Sequence, residues 1–143
     1  MGGTIMSEAN EALVTRFFDE VCTEGRADVA EEIIAPSFVA HDPQVPSDEG
    51  PQGAVDGTQA FRDGAEARWE IQELISAGDR VVARWVGTGT HSGELMGVAP
   101  TGASLSVDAI SIFRVAEGQL AEEWTVWDTL GLLQQIGVVP PPG

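Results

Sequence analysis

The sequence contains no lysine and no tyrosine, and only one cysteine, Cys22, among its 143 residues. Each absence removes a chemistry. Without lysine there is no Schiff-base nucleophile and no P-loop. Without tyrosine no phenol can serve as acid, base or oxyanion donor. A lone cysteine excludes an internal disulfide and fits a reducing compartment. Cys22 lies far in sequence from both histidines, His41 and His91, which speaks against a thiol–imidazole nucleophile, and its place on the apolar side of a predicted helix makes it a core residue. No GxSxG elbow, HExxH or CxxC pattern occurs, and two separated histidines give no metal signature. Gly87, Gly89 and Gly93 lack the spacing of a dinucleotide fingerprint. Neither a metal nor an organic cofactor is therefore expected.

Positive charge is equally scarce. Seven arginines against 23 acidic residues leave a net charge of −16. That balance argues against nucleic acid and against an anionic membrane surface as partners. No apolar run approaches the ~18 residues of a membrane span. The opening MGGTIMSEAN has neither the basic nor the apolar region of a secretory leader. A cytoplasmic protein without membrane contact is the expectation.

What is present is carboxylate, imidazole, hydroxyl and indole, an inventory suited to proton transfer on a small molecule. An apolar fraction of 43% in 143 residues points to one domain with a real core. Ser7 caps a helix running to about Thr23, with Leu13, Phe17 and Val21 on one face, and Gly25 stops it. Asp28 to Ala35 reads as a short helix ended by Pro36, and Phe38 to His41 as extended. Asp42 to Gly57, with three prolines and three glycines, reads as a loop, followed near Thr58 by a short third helix carrying Ala60, Phe61 and Ala65. Strands are predicted over Glu70–Ala77, Arg80–His91, Ser104–Val115 and Gln119–Trp127, with Gly87 and Gly89 permitting a bend. A last helical turn or two spans Leu130–Ile136. Helices followed by a run of antiparallel strands make the fold class α+β, one domain over 7–137 with 1–6 and 138–143 as tails.

Alternation along the last strand puts Glu123, Thr125 and Trp127 on one face and Glu122, Trp124 and Val126 on the other. The outward apolar pair Trp124 and Val126 asks for cover, so a homo-oligomer, dimer or tetramer, is expected; no longer exposed apolar stripe is legible. His41 sits where a residue at a pocket mouth would, and it reads either as a proton carrier or as a hydrogen-bonded structural residue. For His91, at a strand end, the structural role is preferred. Asp128 reads as the N-cap of the final helix or as a ligand contact. Asp108 is expected to pair with Arg84 or Arg114, and Trp69 and Trp85 to wall the core.

The motifs THSGELMGVAPTG (90–102), IFRVAEGQLAEEW (112–124) and WDTLGLLQQIG (127–137) resemble those of the SnoaL-like polyketide cyclase family. That family shares a cone-shaped fold with nuclear transport factor 2 and ketosteroid isomerase, and the resemblance runs from about Glu11 to Gly137. It implies a curved antiparallel sheet with N-terminal helices enclosing a deep pocket. It also implies aldol closure of a polyketide without metal or organic cofactor, in which an Asp of the last strand removes a proton with help from a His on the neighbouring strand. Carried onto this chain, that Asp falls at Thr125 and that His at about Ser111. Both are departures, and Glu123, one strand step away, is the natural substitute base. The implied catalytic set is Glu123, His41, Thr125 and Ser111, with Trp127, Trp85, His91 and Asp128 contacting substrate. Between Gly57 and Ile71 the chain looks shorter than its relatives by about two to three helical turns, which leaves the cavity more open or completed by another subunit. Three functions stay open at this point: a cyclase or isomerase, a small-molecule-binding protein with the same pocket, and a dimeric interaction module.

Overall fold

Two-residue alternation over Ser104–Ala116, buried at Leu105, Val107, Ala109, Ser111, Phe113 and Val115 and exposed or half-buried between, gives the sheet one dry face and one wet face. The computed structural model describes residues 2–45 and 49–142. Its five strands are β1 (Ile34–His41), β2 (Arg68–Ala77), β3 (Arg80–Thr90), β4 (Ser104–Ala116) and β5 (Gln119–Trp127), in the spatial order β1-β5-β4-β3-β2. β2 to β5 form an antiparallel meander. The wholly antiparallel sheet expected from sequence is corrected at one edge, because β1 lies parallel to β5. β1 also starts earlier than expected, at Ile34, and passes through Pro36 within a register irregularity between Ile34 and Val39. An edge strand tolerates proline, since the missing N–H can face away from the ladder.

The helices are α1 (Gly2–Arg16), which continues as a wide π turn over Phe17–Thr23, α2 (Ala27–Ile33), α3 (Gly50–Ala65) and α4 (Thr129–Gln135). The first helix thus begins ahead of Ser7. The π turn buries Phe17, Phe18, Val21 and Cys22 against the sheet. Two of its carbonyls, Val21 and Cys22, accept from the Arg62 guanidinium of α3 at 3.4 and 2.8 Å, a side-chain partner for main-chain oxygens near the end of an irregular helix.

The largest departure from the sequence reading is α3. Its first half was expected to be loop and the helix short, yet it runs for 16 residues from Gly50. Pro51 sits in the first turn, where its fixed φ is already helical and its missing N–H costs nothing. Gly53 and Gly57 lie inside the helix despite their poor propensity; both line the interior cavity together with Phe61, at i, i+4 and i+8, so the glycines leave room where side chains would fill it. Of the segment between Gly57 and Ile71, α3 covers the part up to Ala65 and β2 begins at Arg68. Gly89 also acts differently from expectation. A Cβ there would collide with the carbonyl oxygen of Ala65, so it permits close approach of α3 to the sheet.

The main core cluster packs the π turn on β1, β3 and β4 through Phe17, Phe18, Phe38, Trp85 and Phe113, and α2 joins it through Val29, Ala30 and Ile33. A smaller one at the far end joins Leu95, Leu105 and Val107 to Leu132 and Ile136 of α4. Phe61 and Trp127 touch both clusters, and the cavity opens between them. Among the described residues no helix is long and apolar enough to cross a membrane.

Candidate functional site

A cavity of about 140 Å³ lies between the concave sheet face, the π turn and α3. Phe17, Phe18, Phe38, Trp69 and Trp85 line it, and Phe61 meets Trp127 edge-on at 5.8 Å and 87° and Trp69 at 6.4 Å and 90°. The polar lining is sparse: the carboxyl groups of Glu123 and Asp42, the hydroxyls of Thr58, Thr88 and Thr125, and the Cys22 thiol. Among the described residues no arginine lines it. Among the described residues no three His, Cys, Asp or Glu side chains converge as a metal site would require.

β5 places Glu123, Thr125 and Trp127 on this cavity, as its alternation requires. Glu123 is only 6% exposed. Burial pushes its carboxyl up from 4.5 to about 7; a hydrogen bond from Ser111 opposes that rise and the negative charge of Asp42 adds to it. Ser111 stands opposite Thr125 across the β4–β5 ladder. The positions where the resemblance implies a His and an Asp thus come together as a hydroxyl pair, Oγ to Oγ1 at 2.8 Å. Ser111 Oγ also accepts from Trp85 Nε1–H at 2.9 Å, which leaves its one proton to go to either Thr125 or Glu123. Ser111 itself is fully buried behind the lining.

His41 is not in the cavity. β1 pairs with β5 so that Ala40 stands opposite Glu123 and His41 opposite Trp124, and His41 shares the outer face. There its Nε2 lies 2.7 Å from Glu122 Oε2 and its ring stacks on the Trp124 indole at 5.3 Å. Arg114 Nε reaches the other Glu122 oxygen at 3.1 Å. His41 and Arg114 hold the Glu122 carboxyl below the usual carboxylate range.

The residue that takes the place foreseen for His41 is its neighbour, Asp42, which the sequence reading missed. Phe38, Ala40 and Asp42 all line the cavity, a period-two signal that becomes readable once β1 is extended back to Ile34. Asp42 accepts from Trp127 Nε1–H at 3.0 and 3.3 Å and from the Gln44 backbone N–H at 2.8 Å.

Other expected contacts are also corrected. His91 is fully buried away from the lining; its Nδ1 meets Thr101 Oγ1 at 2.9 Å and its Nε2 the Val98 carbonyl at 3.2 Å, so it ties down the loop after β3. Asp128 caps α4 by accepting from Gly131 N–H at 2.9 Å and does not reach the cavity. Asp108 is exposed and unpaired with either arginine: Arg84 meets Glu73 and Arg114 meets Glu122. An outward apolar patch does exist, with Ile110 48%, Ile112 39% and Val126 63% exposed beside Trp124. Cys22 is buried on the cavity wall, and burial pushes its thiol well above the ordinary range.

The profile of the SnoaL-like polyketide cyclase family matches residues 12–136. The chain is 31% identical over 130 residues to aklanonic acid methyl ester cyclase DnrD of Streptomyces peucetius, covering 87% of this chain and 88% of that one. Among solved structures, a protein of Jannaschia sp. CCS1 described as a SnoaL-like polyketide cyclase superposes with a TM-score of 0.82 at 27% identity, over 95% of both chains. IdmH of Streptomyces antibioticus, described as a polyketide cyclase, gives 0.79 at 28% identity over 90% of this chain and 98% of that one.

Proposed function

This chain belongs to the SnoaL-like polyketide cyclase family, and from that premise we propose that it catalyses cofactor-independent proton transfer, an intramolecular aldol closure, on an oxygenated polycyclic small molecule, with Glu123 as the proton acceptor. The observation that carries this reading is the carboxyl of Glu123, buried on the cavity wall and poised at about 7. A general base works best when its pKa lies near the working pH. In the aldol step, the Glu123 carboxylate removes a proton from a carbon flanked by carbonyls. The resulting enolate carbon attacks a ketone carbon of the same molecule, and the new alkoxide recovers a proton from the Glu123 carboxyl. Substrate and product are isomers, and the base returns to its starting form. Thr125 can donate to the enolate oxygen, and Ser111, held by Trp85, positions Thr125 and Glu123 from behind.

The substrate class follows from the lining. Aromatic side chains favour a flat, fused-ring body. An ionisable lining that is acidic, with no arginine on it, suits a neutral ester better than a free acid. The Streptomyces peucetius relative is named for a methyl ester, which supports extending that class to this chain.

The test is incubation with a polycyclic β-keto ester, with product of unchanged mass and altered chromatographic retention read by mass spectrometry. Glu123→Gln is expected to cut turnover by about 10²–10⁴. Tight binding of the ester without any turnover by the wild type would favour the binding-protein reading.

We also propose that two copies pair through the outer sheet face, covering Ile110, Ile112 and Val126. Sedimentation at micromolar concentration should give a dimer or tetramer, and Ile112→Glu should shift it to monomer. A monomeric wild type refutes the pairing.

A further inference from the structure

Asp42 has no counterpart among the residues so far given a role, yet among the described residues it is the only other carboxylate on the cavity lining. Among the described residues its group is met by donors alone, Trp127 Nε1–H and the Gln44 backbone N–H. Those partners match an ionised carboxylate, which accepts and does not donate. The parallel pairing of β1 with β5 sets Ala40 opposite Glu123, so Asp42, one step further along the same face, stands over the neighbouring stretch of β5. Among the described residues the groups around Glu123 offer no compensating cation. Ser111 faces it from β4, Thr125 shares its strand face, and Cys22 faces it from the π turn. Arg62 of α3 directs its guanidinium at the carbonyls of Val21, Cys22 and Val55 and at Thr58 Oγ1, and does not line the cavity.

Two carboxyl groups sharing an apolar cavity without a cation do not both ionise readily, and the negative charge of Asp42 adds to the rise of Glu123. We propose that Asp42 is the positioning residue of this pocket: clamped by Trp127, its fixed negative charge makes Glu123 the one carboxyl of the pair that gains and loses a proton in turnover. The inference rests on the reading of Glu123 as proton acceptor. It also gives Trp127 a double part, since the indole that fixes Asp42 is the one that closes edge-on against Phe61.

The experiment is a carboxyl-carbon NMR titration of Glu123 in the full-length protein, run beside the pH–rate profile, for the wild type and for Asp42→Asn, Asp42→Ser and Asp108→Asn. Asparagine keeps an acceptor oxygen for Trp127 and Gln44 while removing the charge. The expected result is a Glu123 midpoint about 0.5–1 pH unit lower in Asp42→Asn and Asp42→Ser, with the alkaline-rising limb of the rate moving down by the same amount. Asp108→Asn, an exposed acid outside the cavity, should leave both in place. A purely structural Asp42 would lower the rate at every pH without moving the midpoint, and that result overturns the proposal. The two readings fail separately. Turnover unchanged in Glu123→Gln removes Glu123 as the base, whereas an unmoved Glu123 midpoint in the Asp42 variants removes only Asp42.

Discussion

Glu122 and Glu123 are consecutive residues on one strand, yet their carboxyl groups are driven in opposite directions. Glu122 points to the outer face, where His41 and Arg114 hold it below the usual range. Glu123 points into the cavity, where burial raises it to about 7. Chain neighbours on a strand differ in environment more than residues far apart in sequence, because the pleat sends them to opposite sides of the sheet. Residue type tells which groups could do proton transfer; the face tells which one does.

The largest expected effect comes from exchanging the two. Glu123→Gln should cost turnover the 10²–10⁴ expected of a lost general base, while Glu122→Gln should stay within about threefold of the wild type, since its partners and its side chain lie on the far side of the sheet. Steady-state rates on one ester substrate decide it. Loss of turnover in Glu122→Gln alone would place the working surface on the outer face and break the comparison.

A second, smaller effect is thermodynamic and has the opposite sense for stability. The folded-state value of Glu123, about 7, is above its ordinary 4.5. Between these values the folded chain holds a proton that the unfolded chain has released, so stability falls as pH rises through the window. The 2.5-unit difference between those two values corresponds to about 3 kcal/mol, with the full penalty present above pH 7 and none below 4.5. Glu123→Gln removes the penalty. Urea unfolding should show the variant gaining on the wild type by about this amount between pH 4 and pH 8, a stabilised protein with little activity. A constant difference across that range would mean that Glu123 is not held protonated by its site.

Which side a residue faces was legible wherever a long alternating strand carried it. The sorting of 119–127 into two faces needed only period two, and β2 to β5 emerged within a few residues of their observed ends. Two features were not legible, for related reasons. α3 hides behind Pro51, Gly53 and Gly57, because local propensity counts against a helix that tertiary packing and an open cavity nonetheless favour. β1 reads from the sequence as the extended stretch Phe38 to His41 alone, and its parallel alliance with β5 is a contact between segments about 80 residues apart that no local pattern announces. With the register of β1 unknown, His41 and Asp42 could be exchanged without contradiction. A slip of one residue moved the cavity assignment from the carboxylate to the imidazole. His41 is also the residue type more readily credited with proton transfer, so chemistry reinforced the wrong choice.

The smallest effect sharpens the comparison through salt and acid. Glu122 has a folded-state carboxyl lowered by His41 first and by Arg114 second. A depressed acid contributes stability that is present above its ordinary value of 4.5 and is lost as pH falls through the folded value. Glu122→Gln should therefore be slightly less stable than the wild type at pH 7, and the gap should close on acidification below pH 4.5. Its partners are open to solvent, with His41 46% exposed and Arg114 34%, so the effect is that of a surface ion network and should shrink further in 1 M salt, where the screening length is about 3 Å. The Glu123 effect should hardly respond to salt, because desolvation by burial is its leading cause. Thermal unfolding of both variants at pH 4, 7 and 8, each at low and high salt, separates the two faces by sign and by screening. If Glu122→Gln proved salt-insensitive, or more stable than the wild type at pH 7, the pair with His41 and Arg114 would not be what holds that face of the sheet, and the contrast between the two glutamates would rest on burial alone.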